Sequence, residues 1–359
     1  MTDIIPFRAV RYDKKNISDL ICPPYDIISP SEKTGYLKKN PYNAVRIEYP
    51  SNYQSAKKKF ELWSVKKVLI KDLLPSFYIY EQSFTFKEKK YVRSGFFAIL
   101  KTEKFGKNIF PHEKTHAAPK LDRLNLLKTT DINTSPIFCL FSDKKEIFRK
   151  IVLKIKKQKP LNFAYIPNGK EKMWIIDDKK IIKSLKNLLK NNKILIADGH
   201  HRYETFFEYT KGGYILTFLC PFESNGLLIL PTHRLIKNWT GKDTEKLADF
   251  FEFNKKCDFK FYVKNKFYYL KVPQKSDILP FQYLHSTILK NKEINYMKDE
   301  QEAIREVNSG KFAAAVIVKP LAIEDLKSVV NKKIVLPQKS TYFYPKVSTG
   351  FVFNKIGIR

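Results

Sequence analysis

A chain of 359 residues with 43% hydrophobic and 14% aromatic content can bury a large core, which excludes a disordered or fibrous class. Its net charge of +31 raises nucleic-acid binding, yet the lysines lie along the whole chain, and basic charge alone supports only non-specific association. Specific nucleic-acid binding is therefore not expected. The segment MTDIIPFRAVRYDKK has no apolar run of signal-peptide type, and AAAVIV and GLLIL are far too short to span a membrane. Cys22, Cys139, Cys220 and Cys257 have no paired spacing. These features predict a cytoplasmic protein with reduced thiols and no membrane partner.

In chain order, FRAVRYD reads as a strand and CPPYDIIS as turns. Ser29-Pro30-Ser31-Glu32 predicts a helix start, with Ser at N-cap, Pro at N1 and Glu at N3. A helix through SAKKKFELWSVKKVL precedes the strands FYIYEQSFTF and YVRSGFFAIL. LDRLNLLKTT then reads as a helix and PIFCLF as a strand. The segments MWIID, KKIIKSLKNLLKN, ILIA, the helix after Asp198 and YILTFLCPF alternate strand and helix. GLLILPTHRLI reads as one more strand, ending at Thr232-His233-Arg234. Helices over DTEKLADFFEF, FQYLHSTILK and AIEDLKSVVNK and a strand at AAAVIV complete the pattern. It predicts a mixed α/β or α+β fold.

The stretch KILIADGHHRYETFFEYTKGG carries the densest chemistry. Ile194, Leu195 and Ile196 form a buried-strand pattern, while Tyr203, Phe206, Phe207 and Thr210 recur on one helix face. Asp198-Gly199-His200-His201-Arg202 thus lies where a strand hands over to a helix N-terminus, where free N–H groups attract anions. A phosphate cradle is one reading, and an Asp N-cap with a turn glycine is the other. Adjacent histidines point about 100° apart on a helix, which argues against a metal pair there.

His112-Glu113-Lys114-Thr115-His116 satisfies the H-E-x-x-H zinc-protease pattern. Pro111 before it and Pro119 after it deny the long helix that chemistry needs, and no third ligand lies nearby in sequence. No structural zinc is expected. Only ten of the 67 basic residues are arginine, and most of these fall in motif-like stretches: Arg8, Arg11, Arg46, Arg93, Arg123, Arg202 and Arg234. Where lysine is the default cation, an arginine marks a place for a planar fork.

VRSGFFAIL, FPHEKT, PKLDRLNLLKTT, NTSPIF, IADGHHRYET, ILPTHRLI and PQKSTYFYPKVSTG, in that order, resemble the bacterial domain-of-unknown-function family ten-fifteen over nearly the full chain. Three of the motifs also resemble the free serine kinases of archaea, members of the ParB/sulfiredoxin-like superfamily. That resemblance implies a ParB/sulfiredoxin-like nucleotide-binding core within residues 1–235 and an additional α/β region over 236–359. It implies a catalytic set of Glu113 as general base, His112 and Asp198. It implies nucleotide phosphates held by Gly199, His200, His201, Arg202, Lys339, Ser340 and Thr341, with Thr232, His233 and Arg234 on the substrate side. Tyr342-Phe343 stands where those kinases have Arg-His, and the loop lacks the cysteine of sulfiredoxins.

The expected activity is phosphoryl transfer from ADP or ATP, with Mg²⁺, to a small hydroxyl substrate such as free L-serine. A ParB-like nucleotide hydrolase or switch and a nucleic-acid-associated binding protein are the alternatives.

Overall fold

The structure, a computed structural model, describes residues 1–113, 117–248, 257–272, 279–332 and 335–357. The chain packs into two units. Unit 1 comprises Met1–Pro111, Thr115–Leu227 and Pro345–Arg359; unit 2 comprises His112–Lys114 and Leu228–Tyr344.

Unit 1 is built on a nine-stranded sheet. Its strands are β1 (Ile4–Ile5), β2 (Phe77–Phe86), β3 (Lys89–Lys101), β4 (Ile109–Phe110), β5 (Ile137–Phe141), β6 (Asn162–Ile166), β7 (Gly169–Ile176), β8 (Ile194–Asp198) and β9 (Tyr214–Pro221). The order is β4-β8-β5-β9-β3-β2-β7-β6, with β1 also paired to β3. β4 runs parallel to β8 and β5 parallel to β9, while the other neighbours are antiparallel. The sheet is therefore mixed. β7, β8 and β9 alternate with helices in sequence, yet none of the three pairs with another. A two-residue turn, Lys87 (φ 46°) and Glu88 (φ 63°), joins β2 to β3. Positive φ at both positions matches the right-handed strand twist even without glycine.

The helices follow their local signals. In α1 (Pro30–Lys39) Ser29 accepts from the Glu32 N–H at 3.3 Å while Glu32 Oε2 accepts from the Ser29 N–H at 2.8 Å. This is the expected reciprocal cap. The other helices of unit 1 include α2 (Tyr53–Val65), α3 (Ala117–Thr130), α4 (Ile147–Ile155), α5 (Lys179–Lys190) and α6 (His200–Thr210). α5 buries Ile181, Leu185 and Leu189, one face at i, i+4, i+8, and leaves Lys183, Lys186 and Lys190 exposed. Those lysines solvate a helix face.

Unit 2 contains a five-stranded antiparallel sheet of β10 (His233–Ile236), β11 (Phe259–Val263), β12 (Lys266–Leu270), β13 (Ile294–Met297) and β14 (Ala314–Val318). Its order is β12-β11-β14-β10-β13. Alternation along the strands feeds two cores. Ile236, Phe259, Phe261 and Val316 pack with Phe281 and Leu284, whereas Leu235, Tyr262 and Ala315 pack with Ala303 and Val307 of α7 (Glu300–Asn308).

Two local expectations are corrected. GLLILPTHRLI is two strands, because Pro231 has no N–H for a ladder; Leu228–Leu230 pairs with Tyr342–Tyr344 and His233–Ile236 with β13 and β14. β10 belongs to unit 2, whose longer segment begins at Leu228. FQYLHSTILK forms one α-turn, Pro280–Tyr283, followed by a π-helical turn, Leu284–Ile288. The DTEKLADFFEF helix is seen over Gly241–Ala248, and its remainder falls outside the described residues. Among the described residues no helix is long and apolar enough to cross a membrane. All four cysteines are buried free thiols.

Candidate functional site

In unit 1, β8 ends at Asp198 and α6 begins at His200, so Gly199 makes the whole turn. Its φ of +91° is left-handed, and a Cβ there would lie 3.0 Å from Ile137 Cγ2 and 3.1 Å from the Arg202 guanidinium carbon. Only glycine suits both conditions. The Asp198 side chain does not cap α6. Its Oδ2 accepts from Arg202 Nη2 at 2.8 Å, and its Oδ1 pairs with Lys346 Nζ. Burial opposes ionisation, but the Lys346 and Arg202 charges outweigh it and hold the carboxyl well below the usual carboxylate range. His200 is buried and His201 half-buried on the first turn of α6.

Arg202 is committed to this turn. Besides Asp198, its Nη1 donates to Ser135 Oγ at 3.0 Å and to the Pro136 carbonyl. Ser135 Oγ donates on to Glu48 Oε1 at 3.0 Å, and Glu48 Oε2 accepts from Thr134 Oγ1 at 2.5 Å. Arg123 donates to the Glu48 carbonyl at 2.9 Å and stacks 3.7 Å from the Tyr25 ring centroid. The segment carrying Lys346 is fixed from beneath. The Lys346 carbonyl accepts from Gln82 Nε2 at 3.0 Å, Arg93 donates to Gln82 and to the Pro345 carbonyl, and Ser348 Oγ donates to Glu171 Oε1 at 3.0 Å. Burial pushes the Glu171 carboxyl up against the pull of these hydrogen bonds.

In unit 2, His112 and Glu113 meet Lys339, Ser340 and Thr341. The Leu336 N–H donates to the His112 carbonyl at 2.7 Å, setting a parallel bridge between Glu113 and Leu336. Lys339, in a left-handed conformation (φ 56°), aims its N–H at Glu113 Oε2 at 3.1 Å. Buried His112 shares a 2.7 Å hydrogen bond with Thr341 Oγ1, and Ser340 Oγ donates to the Pro337 carbonyl at 2.6 Å. Thr232, His233 and Arg234 do not converge. His233 Nδ1 accepts the Val318 N–H at 3.2 Å, a structural bond that fixes β10 on β14. The Thr232 carbonyl accepts from Arg234, whose side chain belongs to the opposite face of the sheet from Leu235.

His116 lies outside the described residues, so the H-E-x-x-H pattern has no geometry here. Among the described residues no group of three or more His, Cys, Asp or Glu is placed to hold a metal ion. Each Asp198 oxygen already faces a cation, which opposes a direct bond to magnesium.

Residues 4–297 match the family model described as Protein of unknown function (DUF1015). The chain belongs to that family. No curated protein matches it in sequence. Solved structures that it resembles include a conserved hypothetical protein from Pyrococcus furiosus, at 15% identity and TM-score 0.40, covering 70% of this chain and 98% of that one. A free serine kinase in complex with AMP is similar at 13% identity and TM-score 0.42, covering 70% and 94%. SbnI with a C-terminal truncation, from Staphylococcus aureus, is similar at 11% identity and TM-score 0.42, covering 70% and 81%.

In this DUF1015 chain, sequence reasoning missed Lys346 and Glu48. Lys346 lies in PQKSTYFYPKVSTG, but lysine is too common here to stand out. Glu48, fully buried, is visible only through its partners. The arginine pattern was the better signal: Arg93, Arg123 and Arg234 are buried, and Arg202 is nearly so.

Proposed function

We propose that the protein is a nucleotide-dependent kinase of small molecules, transferring a phosphoryl group from ADP or ATP to a hydroxyl, with free L-serine the leading acceptor. The observation that supports it best is the meeting of His112-Glu113 with Lys339-Ser340-Thr341 within unit 2. These are two of the three motifs that resemble the free serine kinases. Phosphoryl transfer asks a protein mainly for positioning and charge neutralisation, with one carboxylate to take the proton of the attacking hydroxyl.

In this reading Glu113, oriented by the Lys339 N–H, takes the hydroxyl proton as the oxygen–phosphorus bond forms and the bond to the leaving nucleotide breaks. Within unit 1, the Asp198-Gly199-His200-His201 turn at the N-terminus of α6, the third of those motifs, is the candidate for binding phosphate. Lys346 adds a cation at that turn, and Arg202 positions Asp198. Lys339, Ser340 and Thr341, beside Glu113 in unit 2, are the candidates to hold the transferred group. Magnesium arrives on the nucleotide phosphates and neutralises them; it is not a resident ion of Asp198.

Phosphorus NMR of the protein with ADP or ATP and L-serine tests the reading. O-phosphoserine should form, and nucleotide consumption should depend on serine. Equal nucleotide turnover with and without every hydroxyl tried would make the protein a hydrolase. No turnover combined with salt-sensitive DNA or RNA binding would make it a binding module.

A further inference from the structure

Arg234 is a buried cation without a counter-ion. It has no exposed surface, and no Asp or Glu among the described residues pairs with it. Its Nε donates to His285 Nε2 at 3.2 Å and its Nη1 to the Thr232 carbonyl. Nη2 is buried and has no hydrogen-bond partner among the described residues. His285 cannot supply negative charge; burial and the neighbouring Arg234 push its imidazole down to about 4, so it is neutral. The Phe281 and Tyr296 rings lie 5.0 and 5.6 Å from the guanidinium. Their faces return only part of what desolvating a charge costs.

Two features mark the place as built for a ligand. His285 sits in the π-helical turn Leu284–Ile288, and such turns are frequent at functional sites. Tyr296 is paired directly with Arg234 across β10 and β13, and both the Arg234 and Glu113 charges act on its hydroxyl. Tyr296 is half-buried on the edge strand of the sheet.

We propose that Arg234 Nη2 binds the carboxylate of the acceptor, so that the substrates are small hydroxy acids or amino acids and not neutral alcohols or sugars. One guanidinium with a neutral imidazole matches the single charge of a carboxylate. A phosphate would call for more cations, and among the described residues no lysine or imidazolium contact is found at Arg234. This proposal rests on the kinase reading and adds to it the class of acceptor.

The test compares L-serine with L-serinamide, which keeps the hydroxyl and amine but lacks the carboxylate. Initial rates should favour serine over serinamide in the natural protein. Arg234→Gln should raise KM for serine about tenfold or more and narrow the preference for serine over serinamide, while leaving nucleotide affinity unchanged. Equal rates for serine and serinamide in the natural protein would overturn the proposal, and that comparison needs no variant to fold. Weakened nucleotide binding by Arg234→Gln, with serine KM unchanged, would also overturn it by assigning the anion to the donor. If no hydroxyl is phosphorylated, the kinase reading fails separately. Calorimetry with L-serine and L-serinamide, with and without nucleotide, then decides the anion site. Binding of serine alone upholds it, and equal or absent binding of both overturns it.

Discussion

The backbone N–H of Lys339 donates to Glu113 Oε2 at 3.1 Å, although 226 positions separate the two residues. A carboxylate held by a main-chain donor keeps that oxygen in a fixed direction. Glu113→Gln preserves the size and most of the hydrogen bonding of that group but removes the base. It should bind nucleotide almost normally and lose phosphoryl transfer by about two to four orders of magnitude. Single-turnover rates beside calorimetric affinities check this; transfer at the natural rate would show that another group takes the proton.

Arg202 illustrates a different expectation. All its described contacts are internal, to Asp198, Ser135 and Pro136, and its side chain is only 11% exposed. Arg202→Ala leaves Asp198 with Lys346 alone and removes the donor to Ser135 and the Pro136 carbonyl, so it should cost roughly 3 kcal/mol or more of stability. Arg202→Lys should recover little of this, because an ammonium cannot span the three acceptors. Urea unfolding of the three proteins is the measurement, and a loss under 1 kcal/mol in the alanine variant would contradict the network.

Gly199→Ala should be costly for two reasons that act together. The backbone is left-handed there, and the added methyl presses on Ile137 and Arg202. A loss of at least about 1 kcal/mol is expected, with weaker nucleotide binding as the turn shifts. Thermal unfolding and nucleotide titration of the variant should move in the same direction.

His285 gives a pH prediction with a definite sign. Its folded value of about 4 lies below the ordinary imidazole value of 6.5, so the unfolded chain takes up the proton first as pH falls. Its stabilising contribution is complete above about pH 6.5, declines between 6.5 and 4, and declines no further below 4. Asp198 stays ionised in the folded state across that window, because the Lys346 and Arg202 charges hold its carboxyl well below the usual carboxylate range. His285→Gln can still accept from Arg234 but cannot titrate. Urea midpoints followed from pH 7 to pH 4 should fall more steeply for the natural protein than for this variant.

The sequence by itself determined the elements whose causes are local. The Ser29–Glu32 cap, the apolar face of α5 and the strand, glycine and helix around Asp198 need only neighbours a few positions away. It also marked most of the arginines that became buried, because a lysine-rich chain makes a planar cation conspicuous. What lay beyond it were the partners. A carboxylate's role depends on the charges that surround it, and for Asp198 one of these, Lys346, comes from 148 positions away. The sequence grouped Thr232, His233 and Arg234 as one substrate-side trio. Strand geometry divides it, because successive side chains on a strand point to opposite faces. His233 became a backbone acceptor and Arg234 a buried cation, a distinction that only the packing of β13, β14 and the Leu284–Ile288 turn around β10 could make.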